Sequence, residues 1–290
     1  MNSIKELIIL LRPHQYIKNL FIFAPLIFSF NFSLDNLKNS FIAFILFSMI
    51  ASSIYILNDY MDIEEDKRHP KKKFRPLASG AISKRLALYM FVFLSFTSLS
   101  ISFFVNSSLF IVLVIYFVLN IAYSLKLKHI SIVDIFIISI GFVLRLFAGS
   151  SVLDVNLSMW IIIITFLLAL FLSLAKRRDD VLLSLEGRET RKNIDGYNLE
   201  FINTTMTLMA GVIIVSYILY TVSDSVISRL HTNYLYLTSV FVILGVFRYM
   251  QITFVEENSG SPTKIVLKDR FLQITIILWL FSFIGVVKYL

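Results

Sequence analysis

Amide and acidic side chains recur between residues 58 and 66, directly after a long apolar segment. Asn58, Asp62 and Asp66 are four residues apart, so they share one face of a helix, and Asp59 lies beside the first of them. Hard oxygen ligands favour Mg²⁺, which commonly binds one or two carboxylates together with substrate phosphates. We therefore predict a Mg²⁺ site at Asn58, Asp59, Asp62 and Asp66, with the three aspartates as catalytic residues. A solvated helix end is the alternative, but such a cluster at the end of a membrane span is costly without a counterion.

A basic stretch follows the carboxylates, from residue 67 to residue 75, and two prolines make it a shaped loop. Basic side chains beside a magnesium site suit a polyphosphate ligand. Attraction to anionic lipid headgroups is the alternative, at about 1 kcal/mol per basic residue near the surface. The candidate phosphate-binding residues of this stretch are Lys67, Arg68, His69, Lys73 and Arg75.

The composition places these residues in a membrane protein. Of the 290 residues, 57% are hydrophobic and 16% are charged, whereas soluble domains have about 25% charged residues. One water-soluble core of this size could not bury so much apolar surface. The chain has no cysteine, which excludes thiolate chemistry and a disulfide framework.

We predict an all-α polytopic membrane protein with nine spans, because the apolar segments are too long for barrel strands. Residues 1–15 have apolar residues at helical spacing, which predicts an interfacial helix before the first span. We expect residues 1–290 to form one integral-membrane domain. The nine predicted spans are 16–32, 40–58, 86–105, 108–124, 132–152, 158–175, 203–222, 234–254 and 271–289.

The basic residues are distributed very unevenly between the two ends of these spans. Of 27 Lys and Arg, 22 fall at the N-terminus and in the loops after the even-numbered spans, and three fall at the other ends. Positive charge marks cytoplasmic loops, so we expect an inner (plasma) membrane protein with a cytoplasmic N-terminus. The active-site loops, at about 59–85, 125–131, 176–202 and 255–270, then face the cytoplasm.

Two arginines lie within predicted spans. Asp134 and Arg145 are eleven residues apart and share a helix face, at about 16 Å along the axis. An arginine inside a membrane is either functional or paired for structure, and both readings stay open for Arg145. Arg248 lies nearer the cytoplasmic end of its span, where it is a plausible phosphate ligand.

The run 58–66 resembles the first aspartate-rich motif of the UbiA superfamily of intramembrane prenyltransferases, and nine spans with the motif after the second fit that family. Further motifs resemble its decaprenyl-phosphate phosphoribosyltransferase branch, and the resemblance covers nearly the whole chain. These motifs are Arg12-Pro13-His14-Gln15-Tyr16-Ile17-Lys18-Asn19, Asp66-Lys67-Arg68-His69-Pro70, Arg75-Pro76, Tyr123-Ser124-Leu125-Lys126-Leu127-Lys128, Gly141-Phe142-Val143-Leu144-Arg145, Lys176-Arg177, Arg191-Lys192 with Tyr197, Arg248-Tyr249 and Asp269-Arg270.

The resemblance implies a UbiA-type helical bundle with a cytoplasm-facing cavity and a Mg²⁺-dependent reaction. A polyprenyl phosphate attacks C1 of 5-phosphoribosyl 1-diphosphate, and diphosphate leaves. The partners are these two substrates and the bilayer, with a possible homo-oligomer and no nucleic acid. The expected substrate-binding residues are Lys18, Asn19, Asn58, Lys67, Arg68, His69, Lys73, Arg75, Tyr123, Lys126, Lys128, Asp134, Arg145, Lys176, Arg177, Asp180, Arg191 and Arg248.

Two features of the last loops remain open in the sequence. Asp180 could assist a second Mg²⁺ or the ribose hydroxyls, or it could form a local ion pair with Arg177 or Lys176. Residues 260–263 read Gly-Ser-Pro-Thr, where the branch typically has Gly-Glu-Pro-Glu. An aromatic prenyltransferase of the same superfamily is the first alternative function, and a non-catalytic lipid carrier or transporter is the second.

Overall fold

The structure is a computed structural model that describes residues 3–30, 32–69, 72–187 and 194–290. Within these ranges the regular elements are α-helices and short 3₁₀ helices, and no strand is present. This confirms the predicted all-α class. The chain forms two compact units, residues 1–157 and residues 158–290. A single transferase domain over the whole chain stays a prediction.

The first unit contains seven α-helices among its described residues, with 3₁₀ turns at Pro13–Phe23, Lys72–Phe74 and Leu127–His129. Several helices begin at a side-chain cap: the hydroxyl of Ser83 accepts from the Leu86 amide, and the side chain of Asn106 accepts from the Leu109 amide. The helices are α1 Ser3–Leu11, α2 Ala24–Ser29, α3 Leu34–Met61, α4 Ile63–Arg68, α5 Lys84–Val105, α6 Ser107–Leu125 and α7 Val133–Leu153.

The second unit contains six α-helices among its described residues, with 3₁₀ turns at Ile194–Gly196 and Leu235–Thr238. Its interior carries a polar bridge, because Trp279 donates to the Tyr217 hydroxyl at 2.7 Å and that hydroxyl lies 2.8 Å from Thr238 Oγ1. The helices are α8 Met159–Leu185, α9 Leu199–Thr221, α10 Asp224–Leu230, α11 Ser239–Phe254, α12 Pro262–Lys268 and α13 Arg270–Tyr289.

Eight helical segments of the described chain are long and apolar enough to cross a membrane. They correspond to the second to ninth predicted spans, and α8 extends ten residues beyond the predicted end of its span. The protein is therefore a multi-pass membrane protein. Exposed Phe93, Phe96 and Phe104 on α5 and exposed Phe281 on α13 are the kind of surface that lipid covers.

The first predicted span, 16–32, differs from the expectation because it is not one long α-helix. The segment Pro13–Phe23 is a 3₁₀ helix, α2 has only six residues, and Phe30 ends α2 with a left-handed backbone. Side chains hold this irregular segment against α3. Tyr16 Oη lies 2.8 Å from Ser52 Oγ, and the Asn19 amide donates to Ser48 Oγ at 2.9 Å. These contacts give the polar side chains of the segment hydrogen-bonding partners on α3.

Two clusters of buried side chains support this unit. The first joins the 3₁₀ segment to α3, α6 and α7. The second lies beneath α4 and the loop that follows it, and Leu10 of α1 belongs to it, whereas Ile4 and Ile8 on the same helix are exposed. The first cluster comprises Ile22, Ala43, Leu46, Phe47, Ile50, Ala51, Leu109, Leu113, Tyr116, Leu144 and Ala148. The second comprises Leu10, Ile56, Ile63, Leu77, Ile82 and Ala87.

Candidate active site at the end of helix α3

The predicted carboxylate motif lies where α3 ends and α4 begins. Asp62 is the junction residue, with φ −94° and ψ 7°, so the motif spans a break between two helices rather than one continuous helix. The spacing of four residues still brings neighbours together, because the Asn58 amide donates to Asp62 Oδ2 at 3.2 Å. Asp59 and Asp66 are each 2% exposed, so these carboxylates need charged or hydrogen-bonding partners.

Two arginines contact the buried carboxylate of Asp59. Arg12 Nη2 forms an ion pair with Asp59 Oδ1, and Arg75 Nη1 donates to the same oxygen at 3.0 Å. Arg12 connects α1 to the 3₁₀ segment and has a left-handed backbone with φ 54°. Such a conformation is costly for a residue other than glycine and persists where the surroundings impose it. Here Ser52 donates to the Leu11 carbonyl at 2.8 Å, which holds the preceding residue against α3.

Arg75 joins Asp59 to the third aspartate of the motif, since its Nη1 also donates to Asp66 Oδ2 at 2.7 Å. Burial raises the pKa of Asp66 above its ordinary value, and the charge and hydrogen bond of Arg75 oppose that shift. Two local contacts place Arg75 here: His69 Nδ1 accepts from the Lys72 amide, and the 3₁₀ turn Lys72–Phe74 packs against α4.

Asp62 pairs with a residue that follows α6. Lys128 Nζ donates to Asp62 Oδ1 at 2.5 Å, from the 3₁₀ turn Leu127–His129. The two residues are 66 positions apart in the chain, so packing of α3 and α6 creates this contact. The predicted phosphate-binding residues Arg75 and Lys128 thus meet the predicted carboxylates in one site.

The oxygen ligands of this site suit a Mg²⁺ ion that is bound partly by the protein and partly by a substrate, rather than one bound by protein ligands alone. Within the described ranges, no group of three or more His, Asp or Glu side chains is close enough to hold a metal ion by itself. Asp62, Asp66 and the Asn58 amide offer oxygen atoms, and Mg²⁺ usually takes one or two carboxylates with the remaining positions filled by water and substrate phosphates. These residues therefore fit a metal site that a diphosphate completes.

Arg145 lies in a second polar group of the first unit, buried within α7 at 4% exposure. It donates from Nε to Asn19 Oδ1 at 2.8 Å and from Nη1 to the Gly141 carbonyl at 2.6 Å. The rings of Phe47, Tyr116 and Phe142 surround the guanidinium, with centroids at 4.9–5.3 Å. Asn19 thus connects Arg145 to Ser48 of α3. Of the two readings that the sequence allows for Arg145, these contacts correspond to the structural pairing.

The other predicted site residues of the first unit have no contact described with the aspartates of the motif. Lys67 pairs with Glu64 at 2.9 Å on the surface, where water and salt screen an ion pair so that it contributes little to stability. Lys73 is exposed and lies 5.2 Å from the centre of the Phe74 ring. Arg68 and Lys126 are exposed, Lys18 and Tyr123 are half-buried, and Asp134 is fully buried in the first turn of α7.

In the second unit, the local ion pair considered for Asp180 is present: Arg177 Nη1 donates to Asp180 Oδ2 at 2.5 Å. Lys176 is half-buried beside this pair. The loop 255–261 approaches the same part of α8, because a Cβ atom on Gly260 would overlap with the carboxylate of Asp179. A side chain at this position would require the Asp179 carboxylate to shift, and nothing in the structure explains the two missing glutamates. Arg191 lies outside the described residues.

Arg248 is held by acidic and amide groups near the start of α13. Its Nη2 donates to Asp269 Oδ2, its Nη1 donates to Glu256 Oε1, and the same nitrogen reaches Gln251 Oε1, each at 2.7 Å. Asp269 also caps α13 by accepting from the Leu272 amide at 2.8 Å. The guanidinium therefore connects α11 to the beginning of α13, a contact that the sequence did not predict.

This ion pair gives stability that depends on pH. The hydrogen bond from Arg248 holds the pKa of Asp269 below its ordinary value. A lowered folded-state pKa stabilises the fold above the unfolded pKa of about 3.9, and the contribution is lost as the pH falls through the folded value. Asp269→Asn keeps a helix cap but loses the charge. We expect a lower thermal midpoint than that of the wild type in detergent at pH 7, and a difference between the two midpoints that narrows as the pH falls below about 5, where the unfolded carboxyl begins to take up protons.

Asp224→Asn, an exposed position in the first turn of α10, serves as the matched control and should show no such pH-dependent gap. A gap between wild type and Asp269→Asn that stays constant down to pH 3 would show that the ion pair with Arg248 does not contribute as described.

Two arginines that the sequence does not assign to the site make extensive contacts in the structure. Arg12 belongs to a sequence motif, and a basic residue just before Pro13 and the first apolar segment is a usable signal for its contact with Asp59. Arg178 follows the predicted residue Arg177 and has a structural role. It is 5% exposed, donates to Asn203 Oδ1 at 3.0 Å and to the Thr253 carbonyl at 2.8 Å, and so joins α8, α9 and α11.

Comparison with known proteins agrees with the all-α membrane fold. The profile of the UbiA prenyltransferase family matches residues 20–275. A decaprenyl-phosphate phosphoribosyltransferase from Mycolicibacterium smegmatis is 32% identical, over 96% of this chain and 91% of that protein. Proteins of the same name from Corynebacterium glutamicum and Mycobacterium tuberculosis are 30% and 28% identical, over 94% and 96% of this chain and 84% and 93% of theirs.

Solved structures show the same fold at lower identity. A UbiA homolog from Archaeoglobus fulgidus bound to GPP and Mg²⁺ has a TM-score of 0.70 and 18% identity, with 97% of this chain and 99% of that chain covered. The same homolog bound to DMAPP and Mg²⁺ has a TM-score of 0.69, with 98% and 99% covered. The family profile and the curated relatives confirm the resemblance seen in the sequence: this chain belongs to the UbiA prenyltransferase family.

Proposed function

We propose that this protein transfers 5-phosphoribose from 5-phosphoribosyl 1-diphosphate to a polyprenyl phosphate, in a Mg²⁺-dependent reaction that releases diphosphate. The product, a polyprenyl-phosphoryl 5-phosphoribose, serves synthesis of cell-envelope glycans. One observation carries the proposal: three cations from different segments, Arg12, Arg75 and Lys128, pair with the three aspartates where α3 ends and α4 begins. The names of the relatives that align with nearly the whole chain support the same reaction.

A phosphoribosyl donor needs more cations than a prenyl donor. It carries a diphosphate and a separate 5-phosphate, and the lipid acceptor brings another phosphate. In the proposal, Arg75 and Lys128 bind the diphosphate, and other basic residues of the cytoplasmic end bind the remaining phosphates. Those residues are Lys18, Lys67, Arg68, His69, Lys73, Lys126, Lys176, Arg177, Arg191 and Arg248, with Asn19, Tyr123, Asp134, Arg145 and Asp180 in supporting or ribose-binding roles.

The residues act on the reacting atoms through position and charge. Asp62 and Asp66, with Asn58 and Asp59 beside them, would hold Mg²⁺, which supplies Lewis-acid stabilisation of the leaving diphosphate. The lipid phosphate oxygen attacks C1 of the ribose from the face opposite the diphosphate. The new C1–O bond forms as the C1–O bond to the diphosphate breaks, so the configuration at C1 inverts. The attacking phosphate is already anionic at neutral pH, so the site needs no general base.

The membrane arrangement follows from the basic residues. In the proposal the protein lies in the plasma membrane with its N-terminus and the α3–α4 site in the cytoplasm, where the water-soluble donor is available. The excess of 22 over three basic residues supports this orientation. Exposed Ile4 and Ile8 suit an α1 that lies in the membrane interface beside the site.

Transfer of label to lipid tests the function directly. Purified protein in detergent receives Mg²⁺, labelled phosphoribosyl diphosphate and polyprenyl phosphates of several lengths, and label in the organic phase is measured. We expect Mg²⁺-dependent labelled lipid with the wild type, and loss of about 10²-fold or more in rate with Asp62→Ala. Asp35→Ala, exposed at the opposite end of α3, is the matched control and should retain activity.

The alternatives predict different results in the same assay. Folded protein that makes no labelled phosphoribosyl lipid, yet alkylates an aromatic acceptor with a prenyl diphosphate, would be an aromatic prenyltransferase. Folded protein that binds the polyprenyl phosphate and forms no new lipid with either donor would be a carrier. Either result contradicts the proposed reaction.

A further inference from the structure

Phe74 is an aromatic side chain that projects from the surface beside the candidate active site. Its side chain is 72% exposed, and the Nζ of exposed Lys73 lies 5.2 Å from the centre of its ring. The next residue, Arg75, contacts two aspartates of the motif. A single exposed apolar side chain is common on protein surfaces, so the surroundings of Phe74 decide what its exposure means.

A backbone hydrogen bond closes the loop that carries Phe74 against the start of α5. The Ile82 amide donates to the Pro76 carbonyl at 3.0 Å. Two residues of chain span at most about 7 Å, so the backbone of Phe74 lies within about 7 Å of Pro76, and that of Lys84 lies as close to Ile82. Since α5 is long and apolar enough to cross a membrane and begins at Lys84, Phe74 is held near the bilayer interface.

The exposed charges around this ring are mainly basic. Two of them lie in the first turn of α5, where the helix dipole disfavours cations, so stability of the helix does not account for them. On α4, which packs against the turn Lys72–Phe74, Glu64 pairs with Lys67 at 2.9 Å and leaves the excess of positive charge in place. We define the Phe74 patch as Phe74 with the basic residues Lys72, Lys73, Lys84 and Arg85.

An apolar ring among cations is complementary to a bilayer surface that carries anionic lipids. Such a ring enters the headgroup region, while lysine and arginine side chains keep their charges beside the lipid phosphates. Each basic residue near an anionic surface strengthens the attraction by about fivefold. We propose that the Phe74 patch docks on anionic phospholipid headgroups of the surrounding bilayer. An acidic protein is a less suitable partner, because the bilayer already adjoins the first turn of α5.

Docking of the patch bears on the candidate active site because Arg75 directly follows the ring. Arg75 Nη1 lies 3.0 Å from Asp59 Oδ1 and 2.7 Å from Asp66 Oδ2. A loop held on the lipid surface has fewer conformations available, so the contact of Phe74 with lipid restricts the position of Arg75. The docking also assigns Lys73, which the sequence places among the phosphate-binding candidates, to lipid phosphates rather than to a substrate.

The depth of residue 74 in the membrane tests the docking. The chain contains no cysteine, so Phe74→Cys carries a single nitroxide label whose ring takes the place of the phenyl ring. The full-length labelled protein is reconstituted in vesicles of phosphatidylcholine, either alone or with about one third phosphatidylglycerol. Paramagnetic resonance gives the ratio of label collisions with oxygen, which concentrates in the bilayer, to collisions with a neutral nickel chelate, which stays in water.

We expect this ratio to be at least about twofold higher in the anionic vesicles than in the neutral ones, and raised salt to reverse the difference. Leu34→Cys, at an 82% exposed position at the other end of α3, is the control label, and its ratio should not depend on lipid charge.

Removal of charge from the loop identifies the groups that bind the lipid. In the Phe74→Cys protein, Lys72→Gln together with Lys73→Gln should lower the ratio in anionic vesicles to about its value in neutral vesicles. Lys264→Gln together with Lys268→Gln removes the same charge from exposed positions on α12 and is the matched control. This pair should leave the response of the label unchanged.

Three results would overturn the docking. The first is an equal collision ratio for the Phe74 label in neutral and anionic vesicles. The second is a response to anionic lipid that survives replacement of both loop lysines. The third is a label shielded from both reagents in detergent before any phospholipid is added, which would mean that protein covers the patch. None of these measurements uses phosphoribosyl transfer, so each result bears on the docking and leaves the proposed function as it stands.

Discussion

Asp66→Asn is expected to lower the rate of phosphoribosyl transfer by about 10²–10³-fold, the range seen when one electrostatic contact to developing charge is removed. Asp66 is buried, holds Arg75 at 2.7 Å, and is one of the two carboxylates proposed to share the metal with the donor. Asparagine has nearly the same shape but no charge, so the proposed metal site loses one carboxylate charge and Arg75 keeps only Asp59 as an anionic partner. The measurement is initial rate of lipid labelling at saturating donor and at several Mg²⁺ concentrations.

The matched control is Glu64→Gln on the same short helix. Glu64 is exposed and pairs only with Lys67 among the contacts described above, so its replacement should change the rate by less than about twofold. A thermal midpoint for each variant separates loss of fold from loss of chemistry. Asp66→Asn protein that is as stable as the wild type and transfers phosphoribose at the wild-type rate would exclude this carboxylate from the reaction.

Gly149→Ala is expected to destabilise the protein strongly. A Cβ atom at this position in α7 would overlap with the backbone carbonyl of Ile22, with the Pro25 ring 3.2 Å away. Overpacking a core commonly costs about 1–3 kcal/mol, and the cost here should lie at or above the upper end because a backbone cannot move aside as a side chain can. The 3₁₀ segment would separate from α7, and with it the Asn19–Arg145 contact. The effect is measured as a lower thermal midpoint in detergent and a lower yield of folded protein after extraction from membranes.

The control is Gly211→Ala in α9, where an added Cβ meets nothing within 4 Å. Alanine is favoured over glycine inside a helix by about 0.5–1 kcal/mol, so this variant should be as stable as the wild type or more stable. The two substitutions are chemically identical and differ only in their surroundings. Equal thermal midpoints for both would mean that the 3₁₀ segment does not pack against α7 as described.

The first predicted span, residues 16–32, shows what hydropathy alone cannot predict. Residues 16–32 are apolar enough to predict a span, and an apolar count cannot distinguish one α-helix from a 3₁₀ segment followed by a short helix. The difference lies in contacts with other elements: Asn19 reaches Ser48 of α3, and Ile22 lies against Gly149. The other predicted spans are α-helices, one of them preceded by the 3₁₀ turn Leu235–Thr238, because their length and apolar composition suffice to specify a helix.

For Arg145, too, the sequence gives the position of the residue in the chain, and the structure gives its contacts. The sequence places an arginine deep in a span and leaves two readings, a substrate contact or a structural pair. In the structure Asn19, Tyr116 and the Gly141 carbonyl accept its hydrogen bonds, and three aromatic rings surround it. Asn19 and Arg145 are 126 positions apart, so no local pattern could have paired them. Cation–π contacts with desolvated rings add to the stability of this group.

The sequence by itself determined the class of this protein and the chemical groups it brings to its site. Composition requires a membrane protein, the lengths of apolar segments require helices, and the spacing of Asn58, Asp62 and Asp66 predicts the carboxylate motif, since each of these depends only on residues close together in the chain. The tertiary structure alone decided which cation meets which carboxylate. Arg12 and Lys128 reach their aspartates across 47 and 66 positions, because packing of α1, α3 and α6 brings the ends of these helices together.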